Sequence, residues 1–492
     1  MNQSIMILIS ILFPILWGVG ILIKAEFKNR KNLILATGIG LVVSAVLSLE
    51  VILSGEMKLE LFSLGENMNI YFQVDNLGRL FGLVVNVVWV LAGFYAFEYM
   101  KHEKEEKRYF GFYLIVFGVL FALNYAGSML TYYVFYEMMT LFSVPLVLHS
   151  KTKEAIMGGL KYLLYSLFGA YMVLFGLYFL NKYAVTLNFT AGGVLEAGAI
   201  AGQEGILLVA AFAMILGFGV KAGMFPLQAW LPTAHPVAPA PASAVMSGII
   251  VKMGVLGMIR VVYYMFGAEF LHGTWVQKVW LALTLITVFM GSMLAYKEKV
   301  FKKRLAFSTV SQVSYILFGM ALLEPAAFTG SLLHVVFHAV IKALLFMCAG
   351  AVIYKTGKTS VDELKGIGKE MPVTIWCYTF ASLALIGIPP ASGFISKWYL
   401  AIGSLNSGLG VFSWLGPVVL LISALLTAGY LLPITIHGFL PGADFDCKKL
   451  RNREPVKMMV VPLVVLAFLA IALGVFPNPL TNYISDIVNT VL

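Results

Sequence analysis

The apolar residues of this chain come in blocks of roughly 18 to 25, and a block of that length crosses ~30 Å of hydrocarbon as a helix. About fourteen such spans can be read, near 4–23, 32–54, 78–97, 110–127, 129–148, 160–181, 205–231, 243–266, 276–296, 305–323, 330–354, 372–402, 415–440 and 457–476. The blocks do not alternate apolar with polar residues, which excludes a transmembrane β-barrel. Composition agrees: of 492 residues 60% are hydrophobic and 12% charged, too few polar groups to cover a soluble surface. The fold class is therefore an all-α polytopic membrane protein.

The formal charge of +10 suggests nucleic acid only until its placement is considered. Alternate loops hold the cations: Lys24, Lys28, Arg30 and Lys31; Lys101, Lys104, Lys107 and Arg108; Lys151 and Lys153. The series continues with Lys297, Lys299, Lys302, Lys303 and Arg304, then Lys355, Lys358, Lys365 and Lys369, then Lys448, Lys449, Arg451 and Arg453. Between them stand little more than Lys58, Lys182 and Lys278. By the positive-inside rule the basic loops are cytoplasmic and both termini lie outside. The first apolar run has no basic residue before it and no small-residue cleavage site after it, so it reads as a span and not a signal peptide. Cys348, Cys377 and Cys447 lack metal spacing and read as bystanders. No CxxC, phosphate-binding loop or dinucleotide fingerprint occurs, so no cofactor, metal or catalytic centre is expected in this chain.

Two spans are interrupted. The seventh meets Pro226, Pro232 and Pro236, and the twelfth is broken at IGIPPASGFISKWYL by Pro389 and Pro390. Each break adjoins a lysine, Lys221 or Lys397. Paired broken spans are a mark of inverted-repeat transporters, and a five-span offset, being odd, makes the two units face opposite ways. The expected division is 1–109 for helices 1–3, 110–266 and 267–440 for two five-helix repeats (helices 4–8 and 9–13), and 441–492 for helix 14.

Ionisable side chains inside a span cost roughly 2.5 kcal/mol or more, so each needs a reason. Glu137, Lys221, Lys252, His334, His338, Lys342 and Lys397 all lie mid-span. His334, His338 and Lys342 are four residues apart and share one helix face. Dry surroundings penalise a charged side chain and a nearby opposite charge restores it, so a carboxylate moving toward or away from a lysine would make it hold or release a proton. Histidine suits the relay between such groups. A lone intramembrane lysine can instead snorkel to an interface or pair structurally, and Arg260, Glu98 and Arg79, near span ends, are read that way. His334 and His338 could bind a metal at i, i+4, but no third ligand is evident.

The chain resembles the antiporter-like subunits shared by Mrp-type sodium/proton antiporters, respiratory complex I and membrane-bound hydrogenases. The resemblance runs from FQVDNLGRLF at 72–81 to about Trp398. It is carried by KAGMFPLQAWLPTAHPVAPAPASAVMSGIIVKMGVLGMIR, FKKRLAFSTVSQVSYILFG, HVVFHAVIKALLF and GIPPASGFISKWY. It implies a fourteen-helix core, inverted repeats with helices 7 and 12 broken, and proton translocation along a central hydrophilic axis. On that resemblance Glu137 is the helix-5 glutamate, Lys221 its helix-7 partner and Lys252 the helix-8 lysine, with His334, His338 and Lys342 bridging to Lys397. Lysine at 397, where some members have glutamate, implies a different charge at the far half-channel, and Asp75 is expected to be structural.

The implied partners are further antiporter-like and other membrane subunits, a peripheral redox module on the cytoplasmic side, the lipid bilayer, and protons, with sodium left open; nucleic acid is not one. AHPVAPAPASAVMSG looks more like the hydrogenase-linked and complex I subunits, and no long lateral helix follows span 14. The reading is thus a subunit of a prokaryotic hydrogenase-related or Mrp-like respiratory complex in the cytoplasmic membrane. A complex I pumping subunit and a stand-alone transporter of a small solute remain as alternatives.

Overall fold

The computed structural model describes residues 3–24, 27–65, 67–442, 445–446 and 450–492; Cys447, Lys448 and Lys449 lie outside the described residues. The chain begins with α1 (Gln3–Ile23) and α2 (Arg30–Leu53), then a hairpin of β1 (Met57–Ser63) and β2 (Asn69–Val74). Next come α3 (Asn76–Tyr99), α4 (Glu106–Asn124), α5 (Met129–Val147), α6 (Lys153–Tyr183) and α7 (Glu204–Ala222). Short α8 (Leu231–Val237) leads into α9 (Ala240–Phe266), which contains π-turns at Met246–Ile250 and Arg260–Phe266. Beyond it lie α10 (Trp275–Lys297), α11 (Phe301–Ala321), α12 (Pro325–Thr356), α13 (Pro372–Ile386), α14 (Gly393–Asn406), α15 (Val411–Phe439), α16 (Lys457–Val475) and α17 (Asn478–Val491).

Among the described residues eleven helices are long and apolar enough to cross a membrane, so the chain is a multi-pass membrane protein. The other three expected spans correspond to α4 and α11, and to the interrupted pair α13 and α14. Both α4 and α11 are buried along nearly their whole length, where polar groups can be matched by protein.

The hairpin is a departure from the all-helical expectation. β2 reads NIYFQV, and Ile70, Phe72 and Val74 turn inward while the residues between them do not, the period-2 pattern of a half-buried strand. Its strand mate pairs antiparallel from Met57↔Val74 to Ser63↔Asn69.

Packing places α9 and α12 at the centre, both buried around their whole circumference, with α12 touching α3, α9, α11, α13, α14, α16 and α17. The rim helices α1, α2, α6 and α15 expose large apolar side chains such as Leu16, Val46, Leu164 and Leu421, as a lipid-facing surface requires. Small residues let helices close up: a Cβ on Gly169 or on Gly217 would lie 2.5 Å from the other's carbonyl oxygen, so α6 and α7 cross with backbones in contact.

Both breaks begin at a glycine in the left-handed region, Gly223 (φ +78°) and Gly387 (φ +93°), where other residues are strained. Pro226, Pro389 and Pro390 lie in the non-helical segments that follow. Pro232 and Pro236 do not break the span: both are inside α8, Pro232 in its first turn, where a missing N–H costs nothing.

The alternate basic loops gather at one end of the bundle. Arg30 pairs with Glu106 (2.8 Å), Lys151 with Glu105 (2.5 Å) and Lys299 with Asp362 (2.9 Å). Lys302 and Arg304, expected in a loop, are instead buried in the first turns of α11, at 6% and 9% exposure. Arg304 donates to the Glu298 and Tyr430 carbonyls, and Lys302 to those of Pro236 and Ala238. Such charge-to-carbonyl bonds are what make burial of a lone cation tolerable. The opposite end carries the hairpin and the ion pair of Arg260 with Asp75, whose carboxylate also caps α3.

Candidate functional site

Lys221 is wholly buried in the last turn of α7, where the helix dipole favours a cation. Its Nζ donates to Thr140 Oγ1 (2.8 Å), Tyr162 OH (3.1 Å) and Ser166 Oγ (2.8 Å). An ammonium has three N–H donors, so this cage satisfies it completely. The Tyr162 ring adds a cation–π contact at 4.4 Å. Tyr162 and Ser166 are one turn apart on α6, and Thr140 comes from α5, so α5, α6 and α7 build the site together.

Glu137, expected to pair with Lys221, acts on its charge without coming into direct ion-pair contact. It lies one turn before Thr140 on α5, partly exposed, and its Oε1 is buried without a hydrogen-bond partner. Hydroxyls, not the carboxylate, take up the ammonium's donors.

Gly254 brings α9 against this site. A Cβ there would meet Phe218 O at 2.7 Å and Lys221 Cβ at 3.0 Å. Two residues earlier in α9 stands Lys252, whose Nζ is 2.5 Å from the Ser247 carbonyl and 2.5 Å from His338 Nδ1. Ser247 lies in the π-turn Met246–Ile250, where the i→i+4 ladder is interrupted. The Lys252–His338 contact suits either of two arrangements, ammonium to neutral imidazole or imidazolium N–H to neutral amine, and passing between them is a proton transfer.

From His338 the array continues along α12. The rings of His338 and His334 lie 5.8 Å apart, and His334 stacks on Tyr315 at 5.6 Å. His334 Nδ1 is 2.8 Å from Ser396 Oγ, beside Lys397. Lys397 Nζ sits 5.2 Å from the Tyr315 ring centre and donates to the Leu385 (2.6 Å) and Ile386 (2.8 Å) carbonyls. Those are the last carbonyls of α13, freed by the break, and a cation is the partner such a helix end favours. In the other direction Lys342 donates to Ser308 Oγ (2.6 Å) and the Leu305 carbonyl (3.2 Å), and Tyr430 OH donates to Ser308 (2.6 Å).

The seven predicted residues therefore fall into a continuous part and a detached one. Lys252, His338, His334 and Lys397 are linked through direct contacts, Ser396 and Tyr315, with Lys342 one turn beyond His338. Lys221 is separated from Lys252 by the α7–α9 contact at Gly254, and Glu137 stands outside its cage. Four polar atoms beside the axis, His334 Nε2, His338 Nε2 and both amide ends of Gln312, are buried with no protein partner. Polar interiors of that kind are where proteins hold ordered water.

Sequence reasoning did not single out Thr140, Tyr162, Ser166, Ser308, Tyr315, Gln312, Ser396 or His235. Ser308, Gln312 and Tyr315 lie in FSTVSQVSY at spacings of three and four on α11, a polar stripe whose period was the available signal. Arg260, Glu98 and Arg79 are paired structurally. Arg260 grips Asp75 at 2.5 and 2.8 Å between the rings of Phe189 and Tyr264. Glu98 bonds Lys101 and Tyr354, and Arg79 bonds the Ile52 carbonyl. Cys348 and Cys377 are buried and free.

Residues 126–427 match the family described as "NADH:quinone oxidoreductase/Mrp antiporter, TM", and residues 62–110 match "NADH-Ubiquinone oxidoreductase (complex I), chain 5 N-terminus". The chain is 30% identical to an Na(+)/H(+) antiporter subunit of Bacillus subtilis, over 99% of this chain and 97% of that one. It is 31% identical to NADH-quinone oxidoreductase subunit N of Desulforudis audaxviator, over 80% of each. A chain of the Mrp complex from a Dietzia species superposes with a TM-score of 0.86 at 20% identity, covering 100% of this chain and 98% of that one.

Proposed function

The chain belongs to the NADH:quinone oxidoreductase/Mrp antiporter transmembrane family, as an antiporter-like subunit, and from that premise we propose that it carries protons along the buried axis of Lys252, His338, His334 and Lys397, with Lys342 beside His338 and Lys221 as a separately caged station. The observation that carries this reading is the 2.5 Å contact between Lys252 Nζ and His338 Nδ1, two titratable nitrogens sharing one proton position inside a membrane protein. Glu137 acts on Lys221 as a movable charge from outside the hydroxyl cage. The two broken spans, within 110–266 and 267–440, serve as two half-channels of opposite orientation, and the helices number fourteen in that arrangement.

The subunit works beside other membrane subunits, further antiporter-like chains among them. Its basic end faces the cytoplasm, both termini lie outside, and a peripheral redox module seats on the cytoplasmic face. Sodium as the exchanged ion is supported by the relative named an Na(+)/H(+) antiporter subunit. The test is proton movement in membrane vesicles carrying the whole complex, with and without sodium. Lys252→Ala and Glu137→Ala are expected to abolish it while assembly persists. Unchanged ion gradients in both variants would overturn the reading.

A further inference from the structure

A proton axis closed inside a bundle needs an opening, and the basic end has one. A cavity of about 170 Å³ lies there against Glu103, Ser150, Pro236, Pro239, Lys302 and Thr359. Ser150 and Thr359 are exposed at its mouth, while Lys302, 6% exposed, donates to the Pro236 and Ala238 carbonyls at its floor. Burial pushes the Glu103 carboxyl up from its usual range, against the opposing pull of Lys302.

Next to Pro236 in the chain is His235, fully buried, with neither ring nitrogen bonded. A histidine kept for structure ordinarily uses at least one of them. Its ring stacks on Phe346 at 4.7 Å, and Phe346 is one turn from Lys342 on the same face of α12. The charges that act on His235 are Lys302 on the cavity side and Lys342 and Lys252 on the axis side. α11 joins the two sides: Lys302, Leu305 and Ser308 recur at every third position, and Lys342 bonds the latter two.

We infer that His235 is the relay that passes protons from this cavity into the axis at Lys342, with Glu103 and Lys302 guarding the mouth. The inference rests on the axis carrying protons. One proton arrives from cavity water on one ring nitrogen, and the proton on the other nitrogen leaves to a neutral Lys342 amine. The ring is again neutral, in its other tautomer, so protons balance.

The test uses the whole complex in vesicles. In Thr359→Cys, a membrane-impermeant thiol reagent applied from the basic-loop side plugs the mouth, with the unsubstituted protein under the same reagent as control. Transport is expected to fall about 100-fold or more, the scale of a lost proton-transfer group, and the reagent on the other side to do nothing. His235→Gln, polar and similar in size but unable to exchange a proton, is expected to assemble and to fall as far. Plugged Thr359→Cys at full rate overturns the inlet, and assembled His235→Gln at full rate overturns the relay. A wild-type complex that moves no protons contradicts the functional reading itself, and the inlet with it.

Discussion

At the scale of single residues, the membrane-buried lysines differ in how they are held. Lys221 has three neutral acceptors, and the loss of one leaves a donor unsatisfied at about 1–3 kcal/mol. Thr140→Val or Ser166→Ala is therefore expected to slow proton movement by about tenfold, read in vesicles against the amount of assembled complex. Glu137 and Asp75 make the complementary contrast. Glu137 acts on Lys221 through space without a direct contact to lose, so Glu137→Gln should leave thermal unfolding in detergent within about 1 kcal/mol of wild type while transport is lost. Asp75→Asn leaves Arg260 buried without its counter-charge and should cost about 3 kcal/mol or more in the same measurement. The charged members of the site were legible in the sequence because an ionisable group inside an apolar run has no inexpensive explanation. The hydroxyls around them were not, since Ser, Thr and Tyr are ordinary in membrane helices and only the fold shows which ones face an ammonium. That Thr140 and not Glu137 directly contacts Lys221 was illegible for the same reason: the stretch YYVFYEMMTLF does not say which of the two meets the lysine.

At the scale of elements, helix defects place the chemistry. The π-turn of α9 offers its Ser247 carbonyl to Lys252, and the break after α13 offers two carbonyls to Lys397. Close helix contact does the rest, and Gly254 is where it matters most. Gly254→Val would drive a side chain into the Phe218 carbonyl and push α9 off α7, parting Lys252 from Lys221 with both lysines intact. Transport is expected to fall at least as far as in Lys252→Ala, and crosslinking between cysteines placed on the two helices should become inefficient; unchanged transport would mean the two stations need no contact. The breaks themselves were readable from Gly and Pro, but the prolines were not equivalent. Pro226 falls where the helix has already stopped at Gly223, whereas Pro232 and Pro236 are accommodated in α8. The hairpin escaped notice because its strands are short and sit between long apolar runs that dominate any hydropathy reading.

At the scale of the whole molecule, the bundle sorts its charges by end. The alternation of basic loops along the chain becomes one basic face, and the ion pairs there also join neighbouring loops. Glu105 accepts a bond from Lys151 and pairs with Arg108, which hold its carboxyl below the usual range. A depressed carboxyl contributes stability above its unfolded value and loses it as pH falls through the folded one. Lys151→Gln should therefore lower the neutral plateau slightly, the pair being exposed, and shrink the acid-limb drop by the same small amount, with stability at low pH unchanged.

The central claim is that a proton crosses the middle of the bundle through His338. Proton movement in vesicles carrying the assembled complex, compared between wild type and His338→Gln, tests it most directly. The account predicts that the substitution reduces transport to the background of vesicles lacking the complex, with assembly unchanged. An assembled His338→Gln complex that moves protons at the wild-type rate would contradict it.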